Sequence, residues 1–118
     1  MNFLQKLKAM FGQANGFENI DTEQFKKLME RNDTVIIDVR SAGEVEDGMI
    51  EGALNINVMS SDFEDKIAEI EKGKTYLVYC RSGNRSGLAC ARMAEMGYTN
   101  LYNLAGGIQA WSIAEPLV

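Results

Sequence analysis

Two short runs, Thr34–Val39 (TVIIDV) and Thr75–Tyr79 (TYLVY), constrain this chain more than any other feature. Each is apolar or β-branched at nearly every position and has the length of a strand. A strand with one face in water alternates polar and apolar residues, whereas a run without alternation is covered on both faces. Helices that cross over between parallel strands provide such cover, so both runs point to the interior of an α/β sheet.

The rest of the chain supplies the other strands and the crossovers. Phe17–Ile20, Ala53–Val58 and Leu101–Leu104 read as three further strands. Asp21 with Gln24, and Ser41 with Glu44, have the spacing of a capping box, in which each side chain satisfies the other residue's backbone N–H. They predict one helix running to about Arg31 and a second, short one ending at Gly48. Asp62–Glu71 places Phe63, Ile67 and Ile70 on one helical face. A helix follows from about Ser86 to Met96, and Gly106-Gly107 opens a last helical turn to Trp111. Strands alternating with helices mean a mainly parallel sheet. Upstream, Phe3, Leu4, Leu7, Met10 and Phe11 recur at helical spacing. Residues 1–14 therefore read as a short amphipathic helix expected to dock on its own domain, residues 15–118.

Charge and residue absences narrow the chemistry. The net charge is −5, with no basic cluster to neutralise phosphates, which argues against nucleic acid and against an anionic membrane as partner. No apolar run is long enough to span a bilayer. Lys6 and Lys8 interrupt what would be a signal-peptide core, and two cysteines make no disulfide framework, so a cytoplasmic location is expected. The chain has no histidine. That removes Ser-His-Asp and Cys-His nucleophile pairs and His-based zinc sites together. The reading calls for no cofactor and no metal.

The sharpest chemical feature follows the second apolar run. TYLVY passes directly into Cys80, then Arg81-Ser82-Gly83-Asn84-Arg85-Ser86, then a helix. Open parallel sheets bind ligands at the carboxyl ends of their strands. A strand–loop–helix there aims backbone N–H groups and a helix N-terminus at one point. Gly83 and Asn84 tolerate the backbone angles of a tight cradle. Amides, helix end and two arginines all favour the thiolate, so Cys80 is expected to be an exposed, reactive thiol that needs no histidine.

These residues resemble the rhodanese sulfurtransferases. CRSGNRS after an apolar strand is similar to that family's active-site loop. Asp38-Val39-Arg40 with Glu44, and Gly48 to Ile56, resemble a second family stretch; Tyr102 to Ile108 with Trp111 resemble a third. The likeness spans roughly residues 17–112. Met49 stands where the family usually has His and Asn57 where it has Pro, departures expected to alter packing rather than chemistry. The resemblance implies a rhodanese-like fold: a five-stranded, mainly parallel sheet with helices on both faces. It also implies ping-pong transfer of sulfane sulfur through a Cys80 persulfide, from a small anionic donor such as thiosulfate to a thiol or cyanide.

In this reading Cys80 is the nucleophile and Arg81, Ser82, Gly83, Asn84, Arg85 and Ser86 bind substrate. The N–H groups of residues 81–85 hold the persulfide; Arg81 and Arg85 orient the donor's anionic end, with bracing of the loop as the other role open to Arg85. A persulfide carrier serving a protein acceptor is the alternative. Phosphatases and arsenate reductases space Cys and Arg by five residues; Cys80 and Arg85 are separated by four, a smaller cradle that disfavours them. Elsewhere the plainer readings hold: Cys90 and Trp111 as core, an Arg40–Glu44 ion pair at the strand end, and Glu44, Glu46, Asp47 and Glu51 as a solvated acidic face.

Overall fold

The computed structural model describes residues 16–118. The helix expected before residue 15 lies outside the described residues. Along the chain run β1 (Glu18–Ile20), α1 (Thr22–Met29), β2 (Thr34–Asp38), α2 (Ala42–Glu46), β3 (Leu54–Asn55), α3 (Phe63–Ala68), β4 (Thr75–Tyr79), α4 (Asn84–Glu95), β5 (Asn100–Leu104) and α5 (Gly107–Ala114). The strands form one sheet in the order β1-β5-β4-β2-β3, and every pairing is parallel.

The two apolar runs, β2 and β4, lie side by side, paired from Thr34↔Thr75 to Asp38↔Tyr79. Alternate residues of β4 go to opposite faces, as the pleat dictates. Tyr76, Val78 and Cys80 join a core with Phe63 and Ile67 of α3 and Ala89, Cys90 and Met93 of α4. Leu77 and Tyr79 join a second core with Phe25 of α1 and Ile108 and Trp111 of α5. Neither face reaches water, which is why the run shows no alternation. Phe25 is fully buried, with its ring edge-on to Trp111 at 5.8 Å and to Tyr79 at 6.4 Å. Truncating it to alanine costs about 3–5 kcal/mol on the usual cavity scale.

Both capping boxes form. Gln24 N–H donates to Asp21 Oδ1 at 2.8 Å while Asp21 N–H donates to Gln24 Oε1 at 3.1 Å. Ser41 and Glu44 exchange the equivalent bonds at 3.3 Å each.

Some boundaries differ from the sequence expectation. β3 covers only Leu54–Asn55 of the expected Ala53–Val58, because Asn57 turns the chain: its Oδ1 accepts from Met59 N–H at 2.9 Å. Ile56 and Val58 still donate to the carbonyls of Asp38 and Val39, so the segment follows the edge of β2 irregularly. α4 begins at Asn84, not Ser86, since Gly83 takes the cap position. α5 is longer than the single turn expected, running to Ala114. Met49, the other departure from the family pattern, exchanges two backbone hydrogen bonds with Val118, at 2.9 and 3.0 Å.

Beyond β2 the chain leaves toward β3, and beyond β4 it leaves toward β5, on the opposite side. Adjacent parallel strands whose connections diverge open a crevice at their carboxyl ends. Arg40 to Gly48 line one wall of that crevice and the Cys80 loop the other.

Candidate active site

Cys80 directly follows β4 and is only 1% exposed. The expectation of an exposed thiol is corrected: the pleat turns Cys80 toward α4, so the sulfur lies at the floor of the loop. Three donors converge on Sγ: Gly83 N–H at 3.2 Å, Ser86 N–H at 3.3 Å and Ser86 Oγ at 3.3 Å. Burial opposes the thiolate and pushes the Cys80 pKa up. The Ser86 hydroxyl and amide, with the Gly83 and Ser82 amides, outweigh burial and bring it below the ordinary thiol value. Cys90, buried in α4, has burial without donors, and its pKa is driven well up.

The cradle depends on where the backbone goes. Gly83 has φ +101°, and a Cβ there would overlap the Ala105 carbonyl oxygen and lie 2.9 Å from its carbon. Gly83 O accepts from Gly87 N–H and from Asn103 Nδ2, each at 3.1 Å, which leaves its N–H aimed at sulfur. The other side of the loop rests on α5. Ile108 N–H donates to Cys80 O at 2.9 Å and Gln109 N–H to Arg81 O at 3.2 Å. Gly107, at φ +62°, is directly beneath: a Cβ would overlap the Arg81 carbonyl and come within 2.6 Å of Ser82 N. With its carbonyls tied below, the loop presents its amides above.

Arg85 is not among the donors to sulfur. It forms a two-pronged pair with Glu44 of α2, at 2.7 and 2.8 Å, joining residues 41 apart in sequence. The Arg85 guanidinium brings the Glu44 carboxyl down to about 2. The expected Arg40–Glu44 pair is therefore corrected. Arg40 holds Asp38 instead, through Nη2 at 2.7 Å and Nε at 3.0 Å. Both groups are buried, and a buried carboxylate requires a charged partner. Arg40 touches α2 only through the Glu44 backbone carbonyl at 3.3 Å and continues to Gly48 O at 2.7 Å. Glu44 thus leaves the solvated face to which the sequence assigned it. Arg81, Ser82 and Asn84 are exposed at the rim.

A model of the rhodanese-like domain matches residues 21–114. The chain belongs to the rhodanese family. The chain is 37% identical over 94 residues to a sulfurtransferase of Allochromatium vinosum, a match covering 79% of this chain and 86% of that one. It is 27% identical over 97 residues to a thiosulfate sulfurtransferase of Shewanella oneidensis, covering 82% and 94%. The solved structure of a rhodanese-related protein from Thermoplasma volcanium matches with TM-score 0.74 at 30% identity, covering 85% of this chain and 96% of that one.

Two contributors escaped the sequence reading. Asn103 falls there in a strand and in the third family-like stretch but is given no role in the site, yet it bonds both Gly83 O and Asn19 Oδ1, the latter at 2.9 Å. An asparagine inside a buried strand is unusual enough to have signalled a polar duty. Gly107 reads as a helix opener, and its close approach to the loop becomes visible only in three dimensions.

Proposed function

We propose that this member of the rhodanese family is a thiosulfate-type sulfurtransferase in which Cys80 is the nucleophile and carries the sulfur as a persulfide. One observation supports this above others: Cys80 Sγ is met by the Gly83 and Ser86 amides and the Ser86 hydroxyl, all within 3.3 Å. Such donors favour an anionic sulfur without an imidazole.

In the first half-reaction Cys80 thiolate attacks the outer sulfur of thiosulfate. The new S–S bond forms as the sulfur–sulfur bond of the donor breaks, and sulfite departs with the electron pair. The charge on the outer sulfur then rests among the loop amides. In the second half-reaction a thiolate or cyanide attacks that sulfur, and the electron pair returns to Cys80. Arg81 attracts the donor's anionic end from the rim, while Arg85 braces the loop through Glu44. The same pairing weighs against phosphatase chemistry, because the cation that such a cradle needs is committed elsewhere. Two free cysteines suit a reducing cytoplasm.

Turnover of thiosulfate and cyanide tests the reading. Thiocyanate formation by the wild type and its loss in Cys80→Ser are expected; full activity in the serine variant would overturn it.

A further inference from the structure

A cavity of about 360 Å³ opens beside the Cys80 loop, in the crevice between the segment after β2 and α5. Four charged side chains line it: Arg40, Glu44, Asp47 and Arg81. Two of these are committed, Arg40 to Asp38 and Glu44 to Arg85, each at 2.7 Å. Among the described residues, Asp47 and Arg81 form no ion pair. The cavity therefore offers one free anion, at the end of α2, and one free cation, next to the nucleophile. Gln109 and Ser112 of α5 add polar groups to the lining, and Ile108 and Leu117 add apolar ones.

The charges do not suit the proposed donor. The volume corresponds to about twelve liquid waters, so the cavity admits small organic molecules as well as thiosulfate, and its charges rather than its size must decide between them. It is at the small end of the range for organic ligands. A dianion gains from Arg81 and is repelled by Asp47, and cyanide uses neither the space nor the polarity. A small molecule that carries both a cation and an anion offers a partner to each of the two free charges.

We propose that this cavity is the acceptor subsite and that it selects a small zwitterionic amino thiol, its ammonium on Asp47 and its carboxylate on Arg81. This rests on Cys80 being the sulfur carrier. The transfer balances without an external oxidant or reductant. The acceptor's thiolate forms a bond to the outer sulfur of the Cys80 persulfide as the bond from that sulfur to Cys80 Sγ breaks. Cys80 leaves as the thiolate, and the product is the acceptor's persulfide anion.

Two measurements test it, and they separate the subsite from the transfer chemistry. The first is binding to unloaded protein, using serine as an unreactive analogue of cysteine. Serine is expected to shift the amide resonances of Asp47, Gln109 and Ser112, and ethanolamine, which lacks the carboxylate, to bind more weakly. The second begins from thiosulfate-loaded protein and compares four thiols at equal thiolate concentration: cysteine, cysteamine, 3-mercaptopropionate and 2-mercaptoethanol. Cysteine is expected to be the best acceptor. Asp47→Asn should reduce the preference for cysteine over 3-mercaptopropionate by roughly two- to fivefold, the worth of one solvent-accessible ion pair. Asp47→Lys should turn preference toward 3-mercaptopropionate. If loading fails while serine still binds at these residues, the transfer reading falls and the subsite stands. If serine shifts nothing there, or if the Asp47 variants keep the wild-type preferences, the subsite is overturned whatever the state of Cys80.

Discussion

Replacing Gly107 by alanine tests how the loop is held. Two costs combine at that position. Its φ of +62° lies in the left-handed region, which costs an alanine about 1–2 kcal/mol. The added Cβ would also overlap the Arg81 carbonyl and approach Ser82 N to 2.6 Å, both backbone atoms that cannot swing aside. Forcing a methyl group into a packed site costs about a further 1–3 kcal/mol. The sum, about 2–5 kcal/mol, is a large part of an ordinary domain's stability. For a chain of this size it corresponds to a fall in Tm of about 8–20 °C, at about 4 °C per kcal/mol. Two other glycines provide controls. Gly73 has φ +97° with open space around it, so Gly73→Ala reports backbone strain alone. Gly43 lies in α2 with ordinary φ and nothing within 4 Å, so Gly43→Ala should be neutral or slightly stabilising. The assay is a thermal melt of all three variants, with sulfur loading of Cys80 measured well below each midpoint. Gly107→Ala should melt lowest and load slowest, because the displaced carbonyls of Cys80 and Arg81 carry the loop amides with them. A Gly107→Ala protein that melts no lower than Gly73→Ala and loads at the wild-type rate would refute the idea that α5 sets the cradle.

Three further outcomes are expected. Peptide mapping after iodoacetamide treatment across pH should show Cys80 modified at lower pH than Cys90, with Ser86→Ala moving the Cys80 profile upward; equal reactivity of the two thiols in folded protein would contradict the cradle. The pair between Glu44 and Arg85 lowers the Glu44 carboxyl from 4.5 to about 2, so its stabilisation is fully present above pH 4.5 and is lost as pH falls through about 2. The Tm difference between wild type and Glu44→Gln should shrink over that window, and a difference that grows on acidification would show the sign to be wrong. Aryl phosphates should be hydrolysed only slowly, since Arg85 is held by Glu44; rapid hydrolysis would show that the pairing does not restrain it.

Much of the architecture was legible because it follows from local patterns. TVIIDV and TYLVY lack alternation, and they are the neighbouring strands covered on both faces. The two capping boxes involve residues three apart and formed as read. Legibility ended where partner choice depends on distant parts of the chain. Arg40 has Asp38 two residues before it and Glu44 four residues after it, and the burial of Asp38 decides between them. Glu44 is then free for Arg85, which only the adjacency of β2 and β4 brings within reach. The length of β3 was misjudged because an edge strand is limited by its single neighbour, and Asn57 turns it early. In the site, the Cys80 loop was visible as a strand–loop–helix with turn residues. The depth of the sulfur was not, since it follows from which face of the pleat residue 80 occupies. The roles of Asn103 and Gly107 come from the packing of β5 and α5 against that loop.

The account stands most directly on where sulfur goes. Intact-mass measurement after incubation with thiosulfate, followed by peptide mapping, is predicted to find one added sulfur atom on the peptide that holds Cys80, and none in Cys80→Ser. No added mass in the wild type, or sulfur found on Cys90, would contradict it.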